Sequence, residues 1–148
     1  MEQIKINNKD IIIMNLTHYF ITEKNYNPVI VHGINDEIWL ENMNSDYKII
    51  RIVSKYIHNN EQLNFDKFRS KQITKKLKKK TFSFKMNVLN IYIDLGDNVT
   101  NINNEDNKDV SVSIAKVSDI GKSVMKEIFP DIVEKTRHEE KEWIFYLR

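Results

Sequence analysis

The sequence predicts a single α/β domain: one mixed sheet of about five strands flanked by helices, in the order α-β-β-β-α-β-β-α. Three observations predict it. Short β-branched or alternating runs occur at 29–32, 37–42, 47–53, 88–95 and 110–117. Helix-patterned segments at 10–24, 61–80 and 119–129 separate them. The chain has 148 residues, 41% hydrophobic and 30% charged, which is enough for one core and too apolar for a disordered chain. With 3 Gly and 2 Pro a collagen-like chain is excluded as well.

The first helix spans residues 10–24, with Asp10 as N-cap and Ile12, Ile13, Leu16, Tyr19 and Phe20 as its apolar stripe. Asn25 to Pro28 is turn chemistry. Val29–His32, Glu37–Asn42 and Tyr47–Val53 then read as strands joined by short polar turns, the signature of an antiparallel meander. In the third, Tyr47, Ile49, Arg51 and Val53 share one face and Lys48, Ile50 and Ile52 the other, as in a central strand covered on both sides.

Residues 61–80 read as a long helix whose apolar side runs through Phe65, Phe68, Gln72, Ile73 and Leu77. Val88–Leu95 is the clearest strand, and Gly96–Asp109 a long loop rich in Asn and Asp. In Val110–Val117, Val110, Val112 and Ile114 alternate with Ser111, Ser113 and Ala115, a half-buried strand. Asp119–Phe129 completes the order as a helix stopped by Pro130. The domain is expected to span 1–133, with 134–148 a charged and aromatic segment.

Charge and motifs narrow the chemistry. The net charge of +2 is not the strong basic excess of a nucleic-acid binder, so nucleic acid is not the expected partner. Without cysteine there is no disulfide, thiolate metal site or cysteine nucleophile. No stretch approaches the ~18 apolar residues of a membrane span, and the longest aliphatic run is Ile11–Met14. The first residues lack the apolar core of a secretory signal, so the chain is expected to be soluble and to stay where it is made. Gly33, Gly96 and Gly121 are isolated, which excludes a Gly-rich phosphate loop.

Three constellations remain. The element order resembles the core of the restriction-endonuclease-like fold, and Asp36 followed by Asp46-Tyr47-Lys48 has the residue types of a metal-dependent nuclease, although Asp is equally at home in turns. Lys67, Arg69, Lys71, Lys75, Lys76, Lys78, Lys79 and Lys80 make a basic helix. It reads as a solvated face, as a contact for an anionic membrane surface, or as a nucleic-acid contact. The acidic loop 94–109 and His138-Glu139-Glu140 offer ligands for a divalent cation, but without the spacing of a calcium-binding loop.

The string Asp36-Glu37-Ile38-Trp39-Leu40-Glu41 resembles the cytosolic N-terminal domain of some bacterial rhomboid intramembrane serine proteases. Ile21 to Gly33, the basic run Lys78-Lys79-Lys80 leading into Val88-Leu89-Asn90-Ile91, and Ile114 to Ile132 are similar to that family in the same order. The resemblance spans roughly residues 10–132 and rests mostly on structural residues. It implies a regulatory or partner-binding domain that is not catalytic alone, because the family's Ser-His pair lies on transmembrane helices outside this chain. It also implies a place at the cytoplasmic face of the membrane, with 134–148 leading toward the membrane region. The implied partners are the rhomboid transmembrane domain, a substrate or protease partner, and the anionic membrane surface. Lys71, Lys75, Lys76, Lys78, Lys79 and Lys80 are the expected surface contacts.

Overall fold

The computed structural model describes residues 7–79, 87–100, 102 and 109–137. Its centre is a mixed five-stranded sheet in the order β1-β2-β3-β5-β7, flanked by helices. The strands are β1 (Asn27–Val29), β2 (Glu37–Glu41), β3 (Ile49–Val53), β5 (Val88–Tyr92) and β7 (Val110–Ser113). β1, β2 and β3 form an antiparallel meander as expected, with Trp39 opposite Arg51, but β1 takes in Asn27 and Pro28 of the expected turn and shares only Val29 with the expected strand 29–32. β5 then pairs with β3 in parallel, and β7 with β5. A parallel neighbour requires a crossover, which α2 (Asn60–Lys79) supplies between β3 and β5. A second, two-stranded sheet pairs β4 (Ile57–Asn59) with β6 (Leu95–Asn98). β6 begins at Leu95, the last residue of the expected strand 88–95, and runs on into the expected loop, and β4 has no counterpart in the sequence reading; each is too short to show a period.

Helix α1 (Asn8–His18) starts earlier than the sequence predicts. Its cap is Asn7, whose side chain accepts from the Asp10 N–H at 2.8 Å; Asp10 belongs to the first turn. A π-helical turn, Tyr19–Glu23, continues it and places Tyr19 and Phe20 together in the core. The expected helix at 119–129 is instead a 3₁₀ turn, Val117–Lys122, followed by two single turns, α3 (Met125–Ile128) and α4 (Ile132–Lys135). Ser123 adopts an extended backbone between them, so the three-to-four-residue apolar period crosses a break it does not reveal. α4 carries the packing on to buried Thr136. Residues 138–148, including His138, Glu139 and Glu140, lie outside the described residues.

The sheet has two unlike faces. On one, Leu40, Ile50, Ile52, Leu89, Ile91 and Val112 pack against Ile12 and Leu16 of α1, the π turn, and Ile120, Met125, Phe129 and Ile132. Tyr19, Phe20, Tyr26 and Phe129 meet edge-on there, with ring centres 5.2–6.2 Å apart. The other face lies under α2 and holds two smaller apolar clusters. One joins Trp39, Ile49 and Val88 to Ile73 and Leu77; the other joins Val53, Ile57 and Tyr92 to Leu63. Polar side chains occupy the space between them.

α2 therefore docks through only part of the expected stripe: Ile73 and Leu77 face the sheet, whereas Phe65, Phe68 and Gln72 do not. Leu63, Asp66, Lys67, Ser70 and Thr74 are its buried positions. Phe65 and Phe68 face outward, 70% and 62% exposed. The inward side brings Asp66 to Arg51 and leaves the two phenylalanines outside.

Candidate functional site

Arg51 sits at the middle of β3 between Trp39 of β2 and Asn90 of β5, on the face under α2. Its side chain is fully buried, which is tolerable for a guanidinium only if every donor is satisfied. Nε donates to Asn90 Oδ1 at 2.7 Å, and Nη1 donates to Glu37 Oε1 at 2.5 Å. Both terminal nitrogens reach the Asp66 carboxylate in a fork, Nη1 to Oδ1 at 3.1 Å and Nη2 to Oδ2. Nη2 also donates to the Tyr92 hydroxyl at 3.0 Å, which in turn donates to Asp66 Oδ2 at 2.8 Å. The guanidinium carbon lies 5.7 Å from the ring centres of Trp39 and Tyr92.

Two further cations close the cluster from the solvent side. Lys55 Nζ lies 2.7 Å from Asp66 Oδ1 and 3.4 Å from Glu37 Oε2. Arg69 Nη2 pairs with Glu37 Oε2 and lies 3.3 Å from Asp66 Oδ1. Lys55 and Arg69 keep about a third of their side chains exposed, whereas Glu37 and Asp66 keep almost none. Burial alone would push both carboxyls up in pKa. Arg51, with Lys55 and other neighbours, more than reverses this and holds both below the usual carboxylate range. Burial pushes the Tyr92 phenol up, so it stays a donor.

This hub redistributes the basic residues of α2. Arg69 belongs to the ion cluster. Lys67 is buried and donates to the Ile102 carbonyl, and burial lowers its pKa. Neither is part of a solvated face. Lys71 is half-buried, while Lys75 and Lys76 are exposed. The Lys78 and Lys79 side chains and all of Lys80 lie outside the described residues. The exposed stripe of α2 thus runs Phe65, Phe68, Gln72, Lys75 and Lys76, at helical spacings of three and four.

Where α2 meets β4, a groove of about 480 Å³ opens beside the hub, lined by Lys55, Tyr56, Glu61, Phe65, Asp66 and Arg69. Tyr56 stands at its rim, 56% exposed, with its hydroxyl 3.0 Å from His58 Nδ1. Gly96 permits this approach: a Cβ there would lie 2.5 Å from the Tyr56 oxygen and 3.0 Å from the His58 carbonyl.

The nuclease residues are not brought together. Asp36 precedes β2, where its carbonyl accepts from the Ser54 N–H at 2.9 Å. Asp46 lies in the turn joining β2 to β3, and Lys48 Nζ donates to the Ser45 carbonyl there. Asp36 and the Asp46–Lys48 pair therefore occupy opposite ends of the hairpin, separated by five strand residues, or ~17 Å. Among the described residues no group of three or more His, Asp or Glu gathers as a metal site. Asp94 pairs with Lys9 at 2.7 Å, and Asp109 caps the Val88 N–H at 3.0 Å.

Sequence reasoning missed the hub, although it left a signal. A lone arginine in Ile-Ile-Arg-Ile-Val, a strand apolar on both faces, demands buried anionic partners. Glu37 sits in the antiparallel neighbour, two residue pairs along from the Trp39–Arg51 row and on the same face. Compared with known proteins, the chain matches no family model and no curated sequence. No helix among the described residues is long and apolar enough to cross a membrane.

Proposed function

We propose that this chain is the non-catalytic cytosolic domain of a rhomboid-type intramembrane protease, a regulatory and partner-binding head that docks on the anionic membrane surface through the outer face of α2. One observation carries this reading: Phe65 and Phe68 are exposed on the same stripe as Lys75 and Lys76. Two large aromatics exposed one helical turn apart make an apolar patch, and exposed apolar patches rimmed by polar residues mark interaction sites. Aromatics beside lysines suit a helix lying at the headgroup boundary, with rings entering the acyl edge and ammonium groups meeting phosphates.

The hub supports the non-catalytic half. Glu37 and Asp66 are both engaged by arginine and lysine, and their depressed pKa values leave neither able to take up a proton near neutrality. The string that resembles the rhomboid domain forms β2 and contributes Glu37 and Trp39 to the site, so its role here is architectural. The groove beside Tyr56 and Phe65 is the place this reading gives to a cytosolic segment of a substrate or protease partner.

Sedimentation with lipid vesicles tests the reading. The chain should pellet with phosphatidylcholine vesicles that contain phosphatidylglycerol and stay in the supernatant with phosphatidylcholine alone. Phe65→Ser combined with Phe68→Ser should weaken partitioning about tenfold or more, given ~1.5–3 kcal/mol for a fully buried Phe. Equal pelleting with both vesicle types, or an unchanged double variant, would remove the membrane-docking claim.

A further inference from the structure

We infer that the groove between β4 and α2 binds an extended peptide segment of a partner protein that carries an acidic, an apolar and a basic residue along one side. This deepens the reading that gives the groove to a partner's segment, and rests on it. The groove has two electrically unlike ends. At one, Arg51, Lys55 and Arg69 meet only two carboxylates, Glu37 and Asp66, so the ion cluster keeps one positive charge in excess. Lys55 and Arg69 both line the groove. Arg69 engages the cluster through Nη2, and no hydrogen bond from its Nε or Nη1 is seen among the described residues. Glu37 and Asp66 keep almost none of their side chains exposed, so an incoming carboxylate meets the two cations first. In this half-buried setting their charge is screened less than on the open surface.

At the other end stands Glu61, exposed and outside every ion pair among the described residues. Glu61, Phe65 and Arg69 follow one another along α2 at steps of four, which sets the two ends ~12 Å apart with an aromatic ring between them. Tyr56 adds a second ring from the β4 side. His58 holds it there, its Nδ1 on the Tyr56 hydroxyl and its Nε2 3.4 Å from the Asn98 amide nitrogen, so the rim is in place before a ligand arrives. Acid, aromatic, cation is the order of the wall; cation, apolar group, acid is the order that complements it. In an extended peptide alternate side chains share a side, and three of them span ~13 Å, which matches the groove. A small anion or a lipid phosphate would use the cationic end and leave Glu61 unmatched. A second copy's α2 fits less well: a helix about 10–12 Å across does not reach Lys55 and Arg69, which sit inward with about a third of each side chain exposed.

The test uses the full chain in lipid-free buffer, so its outcome is independent of vesicle docking. The probe is a capped pentapeptide of lysine, serine, leucine, serine and glutamate, compared with versions that carry glutamate at both ends or lysine at both ends. Amide NMR should show saturable shifts at Tyr56, Phe65 and Arg69, with the mixed peptide binding several-fold more tightly than either like-charged one. Glu61→Lys, a change at an exposed position, should leave the melting temperature within a few degrees and reverse the order, so that the peptide with two glutamates binds about fivefold more tightly than the mixed one. Tyr56→Ala should weaken the mixed peptide about tenfold and leave vesicle pelleting unchanged. Unmoved amides at the groove would overturn the proposal, as would equal binding of the three peptides or an order that Glu61→Lys does not change. So would dimerisation that Glu61→Lys abolishes, which would assign the groove to a second copy.

Discussion

Arg51 decides the interior under α2. A buried charge is stable only while its partners remain, and removing one leaves the others desolvated and unpaired. Asp66→Asn should therefore destabilise the domain by ~3–5 kcal/mol, measured as a lower midpoint in urea denaturation. The cluster also sets the acid response. Folding depresses the Glu37 and Asp66 pKa values, so the unfolded chain takes up protons first as pH falls. The stabilisation is complete above the unfolded carboxylate range, ~4, and is lost as pH drops through the lower folded values. Urea midpoints should accordingly fall between pH 6 and pH 3, with a shallower fall in Asp66→Asn. Equal slopes in the two proteins would show that the ion cluster does not govern acid stability. The arginine itself was visible in the sequence as a lone charge in an apolar strand. Its partner Asp66 was not, because the pairing spans 15 residues and depends on how α2 turns on its axis.

Among the elements, α2 shows most clearly how periodicity misleads. A stripe through Phe65, Phe68 and Ile73 is the obvious buried side, yet the helix rotates to bring Asp66 and Lys67 inward and leaves the phenylalanines in solvent. The helix and its limits were legible; its orientation was only half so, because Ile73 and Leu77 face the sheet as expected while Asp66, the anion that buried Arg51 requires, takes the inward place of the phenylalanines. Exposed positions contribute little to the core, so Phe65→Ser with Phe68→Ser should change unfolding free energy by less than ~0.5 kcal/mol per site. That separates a stability effect from a docking effect. In the proposed docking the lysines act on the same face by charge. Lys75→Glu with Lys76→Glu should lower affinity for phosphatidylglycerol vesicles about fivefold or more per site, from ~1 kcal/mol per basic residue near the surface, and should flatten its dependence on salt. Insensitivity to both charge reversal and salt would contradict an electrostatic contact.

At the scale of the whole molecule, the mixed sheet and its flanking helices were readable. Alternating runs and short polar turns point to the meander, and the long helix between two strands is of a length to serve as the crossover that the parallel β3–β5 pair requires. The two-stranded β4–β6 sheet and the broken C-terminal turns escaped, since segments of three to six residues carry too few positions to define a period. The hairpin that holds Asp36 and Asp46 apart gives a further expectation. Plasmid DNA incubated with the chain and Mg²⁺ or Mn²⁺ should remain intact, and cleavage abolished by Asp46→Ala would establish a nuclease instead. The proposed attachment to a membrane protease is tested most directly by sequencing the transcript's reading frame beyond Arg148. It should encode several apolar spans carrying a Gly-x-Ser pattern and a later histidine. A stop codon directly after Arg148, with no such spans, would contradict it.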